Sequence, residues 1–298
     1  MTNIFAHQPV LLQEVISSLN LKNGDVVLDA TVGGGGHARE ILKRILPEGR
    51  LIGLDADPAA LTASRDVLKE FQPRFELIHG NFRDLDIALS KEAAQGLDAV
   101  LFDVGVSSYQ LDDESRGFSI KRDARLDMRM DPRLTISAYD IVNRLNEKEL
   151  AGIIKEYGEE RYSRKIARMI AEARSEKPIE TTHELRDVIY RAIGFRRSRE
   201  KIDPATRTFQ AIRIAVNDEL KALEEGIKKA IERLVPGGRI VAISFHSLED
   251  RIVKNIFRDY KVRGILAVIT KKPVRPSGEE VIMNLRSRSA RLRVAERI

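Results

Sequence analysis

Residues 26–38, Val-Val-Leu-Asp-Ala-Thr-Val-Gly-Gly-Gly-Gly-His-Ala, narrow what this chain can fold into more than any other stretch. Val26, Val27 and Leu28 form a short apolar run that reads as a buried strand ending at Asp29. Four glycines follow, Gly33 to Gly36, and then Ile41, Leu42, Ile45 and Leu46 recur at helical spacing. Strand, glycine turn and helix open a nucleotide-binding βαβ unit. The glycines let the chain reverse sharply and present bare backbone to a ligand. A flexible linker would not be flanked by a tight strand and an amphipathic helix.

The pattern continues on both sides. Residues 8–19 read as a leading helix with Pro9 near its first turn. Arg50–Asp55, Phe75–His79 and Leu97–Asp103 read as strands, and Asp57-Pro58 supplies a cap and a first residue for the helix between the first two. Strands alternating with helices imply a mostly parallel sheet covered on both faces. From Gln110 to about Arg207 there are helical patterns, near 147–157, 160–175 and 182–193, and no convincing strand. A long helix over about 208–234, a strand at Gly238–His246, a helix at Leu248–Tyr260 and strands near 265–270 and 289–295 complete the chain. The interval is too long for an ordinary crossover. Residues 110–207 are therefore read as an inserted all-helical domain within a discontinuous α/β domain of 1–109 and 208–298.

Three of the strands end in an acid: Asp29, Asp55 and Asp103. In an open parallel sheet, ligands bind beyond the carboxyl ends of the strands. Asp55 lies 22 residues after Gly33, the spacing of an acid that takes a ribose hydroxyl pair. Gly33, Gly35 and Ala38 also satisfy the dinucleotide pattern, which alone would suggest NAD. A pyrophosphate wants backbone N–H groups and a helix N-terminus, and Asp29 and Asp103 would repel it. S-adenosyl-L-methionine carries a sulfonium, an amino cation and no phosphate, so carboxylates attract it.

Composition excludes several other classes. With no cysteine there is no disulfide, thiolate metal site or thiol nucleophile. The histidines (His7, His37, His79, His183, His246) make no ligand spacing, so no metal is expected. No run of 18 apolar residues predicts a membrane span, and the N-terminus does not resemble a secretion signal, so a cytoplasmic protein is expected. A net charge of +6 and a pI near 9.4 hint at a polyanionic partner.

A series of longer motifs occurs in order along nearly the whole chain. They are His7-x-Pro9-Val-Leu-Leu-x-Glu14, Asp29-Ala-Thr-x-Gly-Gly-Gly-Gly-His37, Asp103-x-Gly-Val-Ser-Ser108, Gln110-Leu-Asp-Asp113, Arg116-Gly-Phe-Ser119 and Leu126-Asp-Met-Arg-Met-Asp-Pro132. Tyr157-Gly-Glu-Glu160, Pro204-Ala-Thr-Arg-Thr-Phe-Gln-Ala-x-Arg213, Ser244-Phe-His-Ser-Leu-Glu-Asp-Arg251, Arg286-Ser-Arg-Ser-Ala290 and Arg293-Val-Ala-Glu-Arg297 follow. Together they closely resemble the bacterial small-subunit ribosomal RNA cytosine-N4 methyltransferases, the RsmH or MraW family. The resemblance implies a class I, Rossmann-like S-adenosylmethionine-dependent fold with an inserted helical substrate-recognition domain. It implies methylation of the exocyclic N4 of a decoding-site cytidine in 16S ribosomal RNA, in the cytoplasm, with no role for DNA or a membrane. It also places the cofactor at Gly35, Gly36, His37, Asp55, Phe82, Asp103 and Gln110.

The chemistry can be reasoned separately. The cytosine amine is a poor nucleophile, because its lone pair is delocalised into the ring. It needs an acceptor for its N–H groups and in-line placement. Asp103 is the catalytic candidate, with Gly105, Ser107 and Ser108 beside it. The absence of cysteine excludes thiolate addition at cytosine C5. Phe118, Tyr109 and Phe245 are candidates to stack on an extruded base, against an ordinary core role. Arg191–Arg213 and Lys271–Ile298 each carry a local excess of five positive charges and are candidates for phosphate contact. From the residues alone, two other readings stay open: an NAD-dependent dehydrogenase, and a non-catalytic RNA-binding assembly factor.

Overall fold

The computed structural model describes residues 9–89, 96–107, 110–111, 113–194 and 203–298. Its frame is a seven-stranded sheet in the order β3-β2-β1-β4-β5-β7-β6. The strands are β1 (Val26–Asp29), β2 (Arg50–Asp55), β3 (Phe75–His79), β4 (Leu97–Asp103), β5 (Leu234–Ser244), β6 (Leu266–Val268) and β7 (Arg291–Arg297). The first five in the row are parallel, and β7 runs antiparallel between β5 and β6. From β1 the chain steps outward to β2 and β3, then returns to β4 on the other side of β1. The order reverses there, which opens a crevice beyond the carboxyl ends of β1 and β4.

The strands are apolar at nearly every position because both faces are covered. Val27, Leu51, Ala99, Leu101, Val241 and Ile243 bury one face under α1 (Leu12–Leu19), α2 (Gly36–Ile45) and α3 (Pro58–Leu68). Leu28, Ile52, Leu54, Val100, Phe102, Ile240 and Ala242 bury the other with α9 (Glu219–Arg233) and α10 (Ser247–Val262). α3 begins as its sequence dictates: Asp57 accepts the Ala59 N–H at 3.0 Å and Pro58 takes the first position. α1 begins later than expected, at Leu12. Leu11 stands in the left-handed region (φ 54°), so Pro9 lies ahead of the helix.

Between β4 and β5 come α4 (Ala138–Arg144), α5 (Glu147–Gly158), α6 (Ser163–Glu176), α7 (Thr182–Ile193) and α8 (Thr206–Asn217). Capping boxes start α4, α5 and α7: Ser137 with Asp140, Asn146 with Glu149, and Thr181 with Glu184. Leu150, Ile154, Ile166, Ile170, Leu185, Ile189, Phe209 and Ile212 are buried on these helices. The Leu126–Pro132 stretch is pinned from within the same unit. Asn217 accepts the Met130 N–H and donates to the Met128 carbonyl, both at 2.7 Å, and Arg116 donates to the carbonyls of Arg129 and Met130.

The single helix expected over 208–234 is two. Asp218 turns left-handed (φ 48°) between α8 and α9, a conformation Asp tolerates better than most residues. Both helices are amphipathic, so apolar periodicity carries across the break unmarked. The chain divides there into two compact units, Met1–Ser107 with Leu220–Ile298, and Ser108–Glu219. α8 thus belongs with the helical unit, later in the chain than the boundary at 207/208 anticipated.

Candidate functional site

The glycine turn is built around backbone approach. Gly35 has φ 80°, and a Cβ there would meet Ser64 at 3.3 Å; one on Gly36 would sit 2.5 Å from the Pro9 ring. The Ser64 hydroxyl donates to the Gly33 carbonyl at 2.6 Å and holds the turn in register. At the end of β2, Asp55 accepts the N–H of Gly33 and of Asp57, each at 2.9 Å. That fixes its carboxylate beside the turn.

Asp29 and Asp103 sit at adjacent carboxyl ends, on the paired strands β1 and β4. Asp29 is 1% exposed; its Oδ1 accepts the Thr31 N–H at 3.2 Å, and its Oδ2 has no hydrogen-bond partner. Asp103 has a side chain 25% exposed, and its Oδ1 likewise accepts nothing. Burial pushes Asp103 up to about 8, helped by the Asp29 and Glu249 carboxylates. Asp29 rises to about 7, chiefly by burial and then by Asp55. Asp55 rises to about 6 through burial, moderated by the N–H groups it accepts. The three acids therefore repel one another's charge, and a cation entering the crevice relieves that repulsion.

His37, the second residue of α2, is 6% exposed and is pushed down to about 4 by burial. At neutral pH its ring carries no charge, so Nε2–H donates to the Val10 carbonyl at 3.0 Å. Nδ1 then presents a lone pair to Asp103 Oδ2 at 3.6 Å, beyond a direct hydrogen bond. His37 ties the start of α2 to the Val10 carbonyl.

Phe82 follows β3 and packs inward. Its ring meets Phe102 edge-on at a centroid distance of 5.6 Å, and its atoms lie against Gly226 of α9. Gln110 is buried, 4% exposed, and belongs to the helical unit. Phe118 is buried with the Arg116 guanidinium over its ring, and Phe245 lies beside Gly105. His7, Ser108, Tyr109, Arg196, Arg197, Arg199 and Lys201 lie outside the described residues.

Several candidate phosphate contacts are already paired. Arg213 grips Glu219 with two bonds of 2.8 Å, and Asp250 holds both Arg291 (3.2 Å) and Arg293 (2.6 Å). These arginines tie elements together, which removes them from a simple count of available charge.

Two contributors carried no role in the sequence reading. The Thr31 hydroxyl accepts the Asp103 N–H at 2.6 Å, bridging β1 and β4 across the crevice floor. Glu249 is fully buried at the start of α10; it accepts the N–H of Phe245 (2.7 Å) and His246 (3.2 Å) and raises Asp103. Both stand inside the longer motifs of the chain, Asp29-Ala-Thr31 and Ser244–Arg251, which is the signal the sequence carries for them.

A sequence model of the MraW methylase family matches residues 4–298. The chain belongs to the MraW methylase family. Among its relatives, ribosomal RNA small subunit methyltransferase H of Sulfurihydrogenibium sp. is 53% identical over 98% of this chain and 99% of its own. The protein of the same name from Geobacter sulfurreducens is 50% identical over 99% of each. A solved rRNA methylase from Streptococcus thermophilus aligns with a TM-score of 0.44 at 13% identity, covering 97% of this chain and 92% of its own. The methylase takes its methyl group from S-adenosyl-L-methionine, and the crevice fits that donor: two buried carboxylate oxygens without partners, a turn without side chains, and acids whose charge opposes a diphosphate.

Proposed function

We propose that this methylase transfers the methyl group of S-adenosylmethionine to the exocyclic N4 amine of a cytidine in 16S ribosomal RNA, in the cytoplasm and within the small subunit or its precursor. The full-length likeness to two small-subunit ribosomal RNA methyltransferases supports the substrate. The single structural observation that carries the chemistry is the pair of partnerless carboxylate oxygens on Asp29 and Asp103.

The donor supplies an electrophilic methyl on a sulfonium; the chain's own groups do the rest. Gly35 and Gly36 present backbone to the amino-acid half of the ligand, and Asp55 stands where ribose hydroxyls would donate to it. His37 holds the start of α2 against Val10. Phe82 supports the adenine side from the core through its packing on Phe102. Asp103 accepts an amine N–H and so leaves the nitrogen lone pair free for in-line attack; as the C–N bond forms and the S–C bond breaks, the donor would leave as S-adenosylhomocysteine and the displaced amine proton would pass to the Asp103 carboxylate. An ionised Asp103 serves that role better than a protonated one, so the cation that lowers its pKa also prepares it. Gln110 keeps the cofactor-binding role that the family resemblance implies, and the helical unit contributes substrate recognition.

The test offers labelled donor with naked 16S RNA and with assembled small subunits, then maps the modified atom. Label at N4 of one cytidine is expected. RNA binding without transfer would favour an assembly factor, and thermal stabilisation by NAD in place of S-adenosylmethionine would favour a dehydrogenase.

A further inference from the structure

Within the sheet unit, α10 and the edge strand β6 enclose a concavity of about 260 Å³. Lys254, Arg258, Lys261, Lys271 and Arg293 line it, with Phe257 and no carboxylate. Lys254, Phe257, Arg258 and Lys261 recur at the spacing of one helix face. Phe257 is buried and gives the concavity an apolar floor, while the lysines are exposed around it. Arg258 faces Asp259 and Arg293 is held by Asp250. Lys254, Lys261 and Lys271 form no ion pair among the described residues. Like charges gathered over an apolar floor repel one another, and a polyanion relieves that repulsion.

We propose that this concavity is an RNA phosphate-binding site separate from the methyl-transfer crevice, an inference that rests on RNA being the substrate. Its shape favours a polymer over a free phosphate. Lys254 and Lys261 stand seven residues apart, roughly 10 Å along the helix at about 1.5 Å per residue, so one phosphate cannot satisfy both. The volume falls below the roughly 300–1,000 Å³ of pockets that enclose a whole small molecule. Strand directions place it suitably as well. β6 is antiparallel to β7, which is antiparallel to β5, so β6 ends on the same sheet edge as β1 and β4. It lies three strand spacings from β4, on the order of 14 Å. Lys254 and Lys261 lie seven and fourteen residues along α10 from its crevice-side start, roughly 10 and 21 Å down the flank of the sheet unit, so a single strand whose base enters the crevice can run from that edge along the flank onto a second anchor.

The experiment measures binding of the full chain to a single-stranded oligoribonucleotide across a salt series. It compares wild type with Lys254→Ala/Lys261→Ala/Lys271→Ala. Three lost contacts at about 0.7 each flatten the log–log salt slope by about 2. Between 50 and 200 mM salt, wild-type affinity should fall about twentyfold more than that of the variant. A control, Lys22→Ala/Lys43→Ala/Lys69→Ala, removes equal charge from α2 and from the segments just after α1 and α3 and should leave the slope in place. S-adenosylmethionine affinity should match wild type in both variants, which reports an intact fold. An unchanged slope in the first variant, or an equal change in the control, overturns the site. Competition by a mononucleotide or inorganic phosphate at equal phosphate concentration overturns the assignment to RNA in favour of a small anion. RNA binding with the expected slope change but no methyl transfer would overturn the proposed function and leave the site standing. Methyl transfer with an unchanged slope does the reverse.

Discussion

Binding of S-adenosylmethionine should release a proton from Asp103, and the size of that linkage follows from the crevice. In the ligand-free protein Asp103 is pushed up to about 8 by burial and by the carboxylates of Asp29 and Asp103's other acidic neighbour, Glu249. A sulfonium beside it favours the ionised form and lowers that pKa. Below pH 8 the complex thus holds fewer protons than the free chain, and affinity rises with pH up to about 8. One such group changes affinity about tenfold per pH unit. From pH 9 to pH 6 the loss should be about hundredfold for Asp103 alone, and at pH 7 about 0.9 proton should leave per ligand bound.

Calorimetry in buffers of different ionisation enthalpy reads the proton count directly. The ligand's own amino group titrates near pH 8 as well. The informative quantity is therefore the ratio of wild-type affinity to that of Asp103→Asn, which shares the ligand's titration and lacks the carboxyl. That ratio should fall about hundredfold between pH 9 and pH 6. S-adenosylhomocysteine, which has no sulfonium, should show a shallower profile. A ratio flat across this range would refute the electrostatic account of the crevice, whatever the enzyme's activity.

Three further outcomes follow. Asp29, Asp55 and Asp103 are all raised, so the folded ligand-free chain binds more protons than the unfolded one between their ordinary values and about 8. Their contribution to stability is fully present below about 4 and is lost progressively as pH rises from there through about 6 to 8. The melting temperature should fall on going from pH 5 to pH 8, and Asp103→Asn should recover on the order of 5 °C of it at pH 8. Gly35→Ala places a side chain at φ 80° against Ser64 and should cost about 1–2 kcal/mol of stability by denaturant titration, with S-adenosylmethionine binding lost. Glu249→Gln keeps an acceptor for the α10 start but removes a charge that raises Asp103; the midpoint of the proton-release profile should move to lower pH, whereas a purely structural residue would leave it in place.

What could be read from the primary structure depended on how local its cause was. Strands β1 to β4 were legible because burial on both faces makes their runs apolar and acids or glycines end them. Asp57-Pro58 announced α3 because cap and first turn are set by adjacent residues. The break at Asp218 was hidden, since amphipathic helices on either side keep the same period through a single left-handed residue. α4 and α11 (Gly278–Met283), with seven and six residues, are too short for periodicity to show. At the site, spacing located Asp29, Asp55 and Asp103, yet spacing could not say which acids already had partners. Asp55 is tied to two N–H groups, whereas Asp29 and Asp103 each keep an oxygen free. The same limit applied to the basic segments: Arg213, Arg291 and Arg293 count as charge in a sequence and are consumed by Glu219 and Asp250 in the fold. Lysines on α10 escaped notice because helical phase, not local charge density, gathers Lys254 and Lys261 with Lys271. Electrostatic function in this chain is therefore decided by which charges remain unpaired after packing, and that is a property of the three-dimensional neighbourhood of each group.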